Sequence, residues 1–147
     1  MFANVLIVCH ANVCRSPVAE MLFKAHQRAR LALPIMFHSA GIRAREGFGM
    51  DPVMRGLLAE RGVPAGVHYS RRLDRELVRG ADLVLVTERR QVQAVEALDP
   101  VARGKVYPLG QWEDSDVVDP HGSTDRAYRE SFALIEHLVT GWMKKIC

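Results

Sequence analysis

The sequence predicts an α/β fold, a single three-layer domain in which a four-stranded parallel sheet carries helices on both faces. Short, apolar, β-branched segments alternate along the chain with segments of helical periodicity. Strands that alternate with helices favour right-handed crossovers and therefore a parallel sheet covered on both sides. The length of 147 residues and the hydrophobic content of 48% suit one core, so we expect a single domain over residues 1–147.

Each element of the first half has its own local signal. Residues 4–8 are short, β-branched and free of charge, which is typical of a fully buried strand. Ser16 and Pro17 then open a helix, because proline fits the first helical turn, where its missing N–H is not needed. A second strand is expected at 35–40, and the glycine-rich segment 41–50 is expected to be a loop.

The second half repeats this alternation of helices and strands. The predicted elements are a helix from Asp51-Pro52 to about residue 61, a short helix at 74–79, a strand at 82–87, a helix at 89–98, a strand at 105–108 and a final helix at 124–145. The final helix places one apolar stripe towards the core, formed by Tyr128, Phe132, Ile135, Val139 and Trp142. Ligands of such sheets bind beyond the carboxyl ends of the strands, and the first such end is the segment that begins at Cys9.

Composition and charge exclude several classes of function. The apolar run 5–8 is too short for a signal peptide or a membrane span, so we expect a cytoplasmic protein without membrane insertion. The cysteines Cys9, Cys14 and Cys147 form an odd set, and the six histidines are scattered, so we expect no structural disulfide, metal or cofactor. The net charge of +3 comes from arginines interspersed with acidic residues, which argues against a nucleic-acid partner.

The segment 9–17 carries the candidate chemistry. Cys9 is followed six positions later by Arg15, where a strand gives way to a helix. A loop at such a place turns its backbone N–H groups inward, and the helix adds its positive end, so that an oxyanion is bound by many donors. We therefore predict a phosphate-binding loop that consists of His10, Ala11, Asn12, Val13, Cys14, Arg15 and Ser16.

Four residues of this segment have chemical roles that follow from their side chains. The field of the loop stabilises a thiolate, so Cys9 is the candidate nucleophile, although a buried core thiol is the alternative interpretation. Arg15 offers a planar fork that can hold two phosphoryl oxygens. Ser16 can donate its hydroxyl to the sulfur, and Asn12 tolerates the left-handed backbone that turns the middle of the loop.

Cleavage of a phosphate ester through a cysteinyl phosphate also needs a proton for the leaving oxygen. Asp119 is the best candidate for this acid, because the following proline stiffens its loop and the two preceding valines would keep water from its base. Asp114 and Asp116 are close enough in sequence to be rivals.

With these features the chain resembles the low molecular weight protein tyrosine phosphatase family over nearly its whole length. The matching segments are 9–17, Ser39-Ala40-Gly41, His68 with Arg71-Arg72-Leu73, residues 82–86 and Asp119-Pro120. The resemblance implies metal-independent hydrolysis of phosphotyrosine through a phosphocysteine on Cys9. It also implies that Asp119 protonates the phenolic oxygen and then activates water.

The resemblance further implies supporting roles and partners. Asn12, Ser39 and His68 would shape the phosphate loop by hydrogen bonds, and Cys14 would trap oxidised Cys9 as a reversible disulfide. The implied partners are phosphotyrosine proteins, among them an autophosphorylating bacterial tyrosine kinase that controls exopolysaccharide export. We expect a monomer or a weak dimer.

The chain departs from the family pattern at the mouth of the site. Ala11 replaces the usual glycine, Arg45 stands where relatives often have an aliphatic or aromatic wall, and His121 stands where an aromatic residue is usual. The residues expected to set substrate specificity are Arg43, Arg45, Phe48, Trp112 and His121. In this hypothesis the two arginines bind acidic groups or a second phosphate near the phosphotyrosine, and one of the two aromatic residues forms the apolar wall.

Two other functions use parts of the same pattern. A thiol-dependent arsenate reductase would need further cysteines to resolve an adduct on Cys9, and residues 73–99 contain none. A non-catalytic phosphopeptide-binding module would need neither a nucleophile nor an acid. The sequence therefore favours the phosphatase.

Overall fold

The computed structural model describes residues 2–29 and 34–146 of the chain. The strands are β1 (Asn4–Cys9), β2 (Met36–Gly41), β3 (Leu83–Val86) and β4 (Val106–Pro108). The helices are α1 (Arg15–Arg28), α2 (Pro52–Glu60), α3 (Arg75–Gly80), α4 (Gln91–Leu98) and α5 (Asp125–Ile146). All strand pairs are parallel, in the order β2-β1-β3-β4, which confirms the predicted four-stranded parallel sheet.

The predicted elements are all present, and their bounds agree within two residues. The helices predicted to start at Asp51 and at Asp74 begin one residue later, because both aspartates are N-caps whose side chains accept backbone N–H groups of the first turn. A short 3₁₀ turn at Pro100–Ala102 was not predicted, since three residues are too few to produce a periodic pattern.

Strand β1 lies in the middle of the sheet and ends at the point where the strand order reverses. Cys9, its last residue, pairs with Gly41 of β2, and Val8 pairs with Val86 of β3. The chain leaves β1 towards β2 on one side, and β3 and β4 lie on the other. Ligands of open α/β sheets bind at this switch point, so the topology puts Cys9 at the expected position for a binding site.

Two apolar layers cover the faces of the sheet. Helices α1 and α5 pack on one face, where the whole predicted stripe of α5 is buried and Phe23 of α1 stacks on Phe37 of β2 with ring centroids 4.8 Å apart. Val78 of α3 and Val95 of α4 pack on the other face. The first turns of α1 are therefore held between the sheet and α5, which fixes the loop that connects β1 to α1.

Among the helices of the described residues, none has the length and apolar character needed to cross a membrane. Within the same ranges, 2–29 and 34–146, no three His, Cys, Asp or Glu side chains are grouped so that they could hold a metal ion.

Candidate active site

The loop from Cys9 to Arg15 wraps around the sulfur atom of Cys9. Asn12 has a φ of 58°, the left-handed conformation expected for the residue that turns the middle of this loop. Its backbone N–H donates to Cys9 Sγ at 3.3 Å, and Ser16 Oγ lies 2.9 Å from the same sulfur. Two polar groups thus approach a sulfur that is otherwise buried.

The side chain of Asn12 holds the loop to the rest of the molecule. Its Nδ2 donates to the hydroxyls of Ser16 and Ser39, both at 2.9 Å, and its Oδ1 accepts the backbone N–H of Arg71 at 2.9 Å. His68 Nε2 lies 2.8 Å from the carbonyl oxygen of Asn12. The structure therefore brings together the residues that the sequence analysis assigned to loop support.

Two further residues support the loop, and neither was predicted to have this role. A Cβ on Gly41 would lie 2.7 Å from the carbonyl oxygen of His10 and 2.8 Å from the backbone nitrogen of Asn12, so only glycine allows this close approach. Glu20 accepts the hydroxyl of Ser39 at 2.6 Å from within the buried part of α1. Glu20 could have been recognised from the sequence, because it is an acidic residue within an otherwise apolar stretch of a predicted helix.

Arg15 is almost completely buried and is held from two sides. Its Nη1 donates to Glu88 Oε2 at 2.6 Å and to the carbonyl oxygen of Val117 at 2.8 Å. Its Nη2 lies 3.8 Å from Asp119 Oδ2. Glu88 was not predicted, although an acidic residue just beyond the carboxyl end of β3 belongs to the edge of the sheet where ligands bind.

Asp119 is the only one of the three candidate acids that reaches the cavity above Cys9. This cavity has a volume of about 100 Å³ and is lined by Cys9, Ala11, Val13, Cys14, Arg15, Asp119 and His121. Asp114 and Asp116 instead bind Arg89, the first through an ion pair and the second through the backbone N–H at 2.9 Å.

We expected Val117 and Val118 to keep water from the base of the loop that carries Asp119, and this expectation is wrong for Val118. Val117 is fully buried, and its backbone N–H donates to the carbonyl oxygen of Thr87 at 2.9 Å. Val118 is 76% exposed. The chain is anchored through Val117, and the side chain of the next residue lies in solvent.

The two cysteines of the loop have different surroundings. Burial raises the pKa of the Cys14 thiol far above its usual value, the charges of Asp51, Asp119 and Cys9 add to this shift, and Arg15 opposes it. Cys14 is therefore a neutral thiol, and in the described residues both loop cysteines are free. Cys147 lies outside the described residues.

Of the five expected specificity residues, three lie beside the cavity of Cys9, His121 lines that cavity, and Trp112 lies elsewhere. Arg43, Arg45 and Phe48 line an open cavity of about 260 Å³ that shares Ala11 and Val13 with the catalytic one.

Trp112 does not lie beside the catalytic cavity, so the alternative in which Trp112 forms the apolar wall is wrong. Its ring centroid lies 4.4 Å from that of Trp142 on α5, and Lys145 Nζ lies 5.4 Å from the Trp112 ring. Trp142 donates its indole N–H to the carbonyl oxygen of Leu109. This hydrogen bond holds the segment that carries Trp112 against α5. Phe48, which is 54% exposed, is thus the aromatic residue available to form a wall.

The fold and the cavity define a class of protein, the α/β proteins in which a cysteine-containing loop connects the central strand of a parallel sheet to the following helix and lines a small cavity. The family model for low molecular weight phosphotyrosine protein phosphatase matches residues 4–147. The chain therefore belongs to this family, whose members are metal-independent hydrolases of phosphotyrosine.

Individual proteins are similar to this chain over almost its whole length. The low molecular weight protein-tyrosine-phosphatase Ptp of Acinetobacter johnsonii is 34% identical over 145 residues, which cover 99% of each chain. The structure of Vibrio vulnificus Wzb in complex with benzylphosphonate has a TM-score of 0.91, with 30% identity and 99% coverage of both chains. The YwlE arginine phosphatase from Geobacillus stearothermophilus has a TM-score of 0.88 and 28% identity, and the similarity covers 97% of this chain and 92% of that one.

Proposed function

We propose that this chain hydrolyses phosphotyrosine in proteins through a cysteinyl phosphate, with Cys9 as the nucleophile, Arg15 as the phosphate clamp and Asp119 as the general acid and base. One observation carries this proposal. The Cys9 sulfur, with polar contacts from Asn12 and Ser16, lies in the same small cavity as the Arg15 guanidinium and the Asp119 carboxyl group.

In the first step the Cys9 thiolate attacks phosphorus, so that an S–P bond forms while the bond from phosphorus to the phenolic oxygen breaks. Asp119 gives its proton to the departing oxygen, and tyrosine leaves as the neutral phenol. The Arg15 guanidinium and the inward N–H groups of residues 10–16 bind the phosphoryl oxygens while charge spreads over them. Glu88 and the Val117 carbonyl hold Arg15 in place for this role.

In the second step water attacks the cysteinyl phosphate. The Asp119 carboxylate takes a proton from that water, the S–P bond breaks, and inorganic phosphate leaves. Ser16, whose hydroxyl lies 2.9 Å from the sulfur, can donate to the returning thiolate and make it a better leaving group.

The charges at the mouth favour an aromatic phosphate ester over a phosphorylated arginine. Val13 and Phe48 offer apolar surface, whereas Arg43 and Arg45 are cations in the same cavity. A neutral phenyl ring can pack on the apolar surface, and a guanidinium would face like charges. We therefore expect phosphotyrosine peptides to be hydrolysed in preference to phosphoarginine peptides.

Arg45, with Arg43, is proposed to bind acidic residues or a second phosphate next to the phosphotyrosine. Arg45→Ala is expected to lower kcat/KM on an acidic phosphopeptide by about two- to fivefold, because an exposed ion pair contributes roughly 1 kcal/mol or less. On a neutral phosphopeptide of the same length kcat/KM should not change. Equal values for wild type and variant on both peptides would remove this role.

The physiological partner proposed for this activity is an autophosphorylating bacterial tyrosine kinase that controls exopolysaccharide export, which requires a cytoplasmic location. Cys14 is proposed to protect oxidised Cys9 by forming a disulfide with it. Supporting roles for Ser39 and His68 are proposed on their contacts with Asn12 and its carbonyl oxygen.

Asp119→Ala tests the acid and, with it, the phosphatase reaction. In EDTA, the wild type should hydrolyse p-nitrophenyl phosphate, and the variant should lose about 10² to 10⁴ in kcat/KM, with a larger loss for phenyl phosphate, whose leaving group is poorer. Asp116→Ala is the matched control, because Asp116 binds Arg89 and does not line the cavity. Tight binding of phosphate without turnover would instead indicate a binding module, and an Asp119→Ala variant with normal activity on phenyl phosphate would remove the acid role.

A further inference from the structure

Asp51 is a buried carboxylate that joins four parts of the molecule around the catalytic cavity. Its side chain is only 2% exposed. Its Oδ1 accepts the backbone N–H groups of Val53 and Met54 at the start of α2, and its own backbone N–H donates to the carbonyl oxygen of Val13 in the phosphate loop at 2.8 Å. Asp51 thus connects α2 directly to the loop that surrounds Cys9.

The second oxygen of Asp51 connects to the other side of the cavity. Oδ2 lies 2.8 Å from His121 Nδ1 and accepts the hydroxyl of Tyr128 on α5 at 2.7 Å. Burial opposes ionisation of Asp51, but the hydrogen bonds from Tyr128, His121, Val53 and Met54 outweigh it and lower the pKa of this carboxyl group. Because an ionised carboxylate can only accept, His121 must carry a proton on Nδ1 and donate it.

The same contacts reach Asp119 through the backbone. The N–H of His121 donates to Asp119 Oδ1 at 3.1 Å, and the N–H of Gly122 donates to the hydroxyl of Tyr128 at 3.1 Å. Asp119 Oδ2 is thereby left on the side of Arg15. The orientation of the Asp119 carboxyl group therefore depends on where the His121 ring and the Gly122 amide are held.

We propose that Asp51, His121 and Tyr128 form a clasp that closes the segment 119–122 onto the phosphate loop and orients Asp119 for proton transfer. His121 and Tyr128 are positioning residues in this arrangement, and the inference rests on the proposed role of Asp119 as the acid.

The exposure of the segment explains why a clasp is needed. The Asp119 side chain is 44% exposed, so little packing restrains it, and its acid function requires a defined distance to the leaving oxygen. The His121 ring is itself 60% exposed, so its removal frees the segment without opening the core.

The test compares His121→Ala with His121→Asn. The asparagine amide nitrogen can take the position of Nδ1 and donate to Asp51, whereas alanine cannot. His121→Ala is expected to lower kcat/KM for phenyl phosphate about tenfold and for p-nitrophenyl phosphate about twofold, because misplacement of the acid matters most for the poorer leaving group. His121→Asn should restore most of the loss, and Tyr128→Phe should behave like His121→Ala.

A double variant separates failure of the clasp from failure of the proposed function. In the Asp119→Ala background, His121→Ala should cause no further loss, since no acid remains to be oriented. If Asp119→Ala itself loses activity equally on both substrates, the acid assignment fails. Suppose that Asp119→Ala loses more activity on phenyl phosphate than on p-nitrophenyl phosphate, but His121→Ala lowers kcat/KM equally for both substrates or for neither. The clasp is then overturned. It is also overturned if His121→Asn does not restore the activity that His121→Ala loses. Thermal unfolding of each variant confirms that it is folded when assayed.

Discussion

Cys9→Ser is expected to abolish turnover, with a loss in kcat of about 10⁶-fold, comparable to removal of the nucleophile in another covalent enzyme. The reason is that a serine oxygen is a weaker nucleophile and a poorer leaving group from phosphorus than the sulfur, which Asn12 and Ser16 contact at 3.3 and 2.9 Å. Hydrolysis of p-nitrophenyl phosphate, measured in EDTA, gives the rate. The variant should still bind inorganic phosphate, because the donors of residues 10–16 and Arg15 remain.

Alkylation of the wild type provides the control for this prediction. At pH 6, iodoacetamide should modify Cys9 faster than free cysteine, and phosphate should protect it. Cys14 should not react, because burial keeps its pKa high and its thiol neutral. Peptide mapping assigns the modified residue. A Cys9 no more reactive than free cysteine, or measurable turnover by Cys9→Ser, would contradict the role of nucleophile.

Arg15→Ala is expected to lower kcat by about 10³ to 10⁵, the range by which an arginine that stabilises a phosphoryl transition state contributes. Arg15→Lys should recover only part of this loss, because a lysine keeps the charge but cannot offer two parallel N–H groups to the phosphoryl oxygens. Arg15→Ala also removes the buried hydrogen bonds from the guanidinium to Glu88 and to the Val117 carbonyl.

The Arg15 variants need a control for folding, since Arg15→Ala leaves Glu88 with fewer partners. Thermal unfolding and circular dichroism should show a native fold, and Arg90, which binds the other oxygen of Glu88, remains to compensate that charge. Arg90→Ala is the matched variant, because it removes an exposed arginine from the same carboxylate without reaching the cavity. Full activity of Arg15→Lys would show that charge alone suffices and would remove the argument from bidentate geometry.

Sequence periodicity was enough to predict the architecture. Residues 4–8 were recognisable as a buried strand, and the stripe of α5 was recognisable as a core-facing surface, because burial on one face imposes a repeat on the sequence itself. The candidate phosphate loop was equally accessible, because Cys9, Asn12, Arg15 and Ser16 are neighbours in sequence and their chemistry is visible in one segment.

The tertiary structure decided how distant segments meet this loop. Glu88 reaches Arg15 from 73 residues away, and Asp51 meets His121 from 70 residues away. These partners carry no periodic signal, and periodicity does not pair residues that are distant in the chain. Trp112 is an example of a residue that the tertiary structure places away from the site. The sequence suggested it as an apolar wall, but it packs against Trp142 on α5. Local burial and contiguous chemistry are thus determined by the sequence itself, whereas the partners of Arg15, Asp119 and Asp51 depend on which strand ends and loops the parallel sheet brings to one edge.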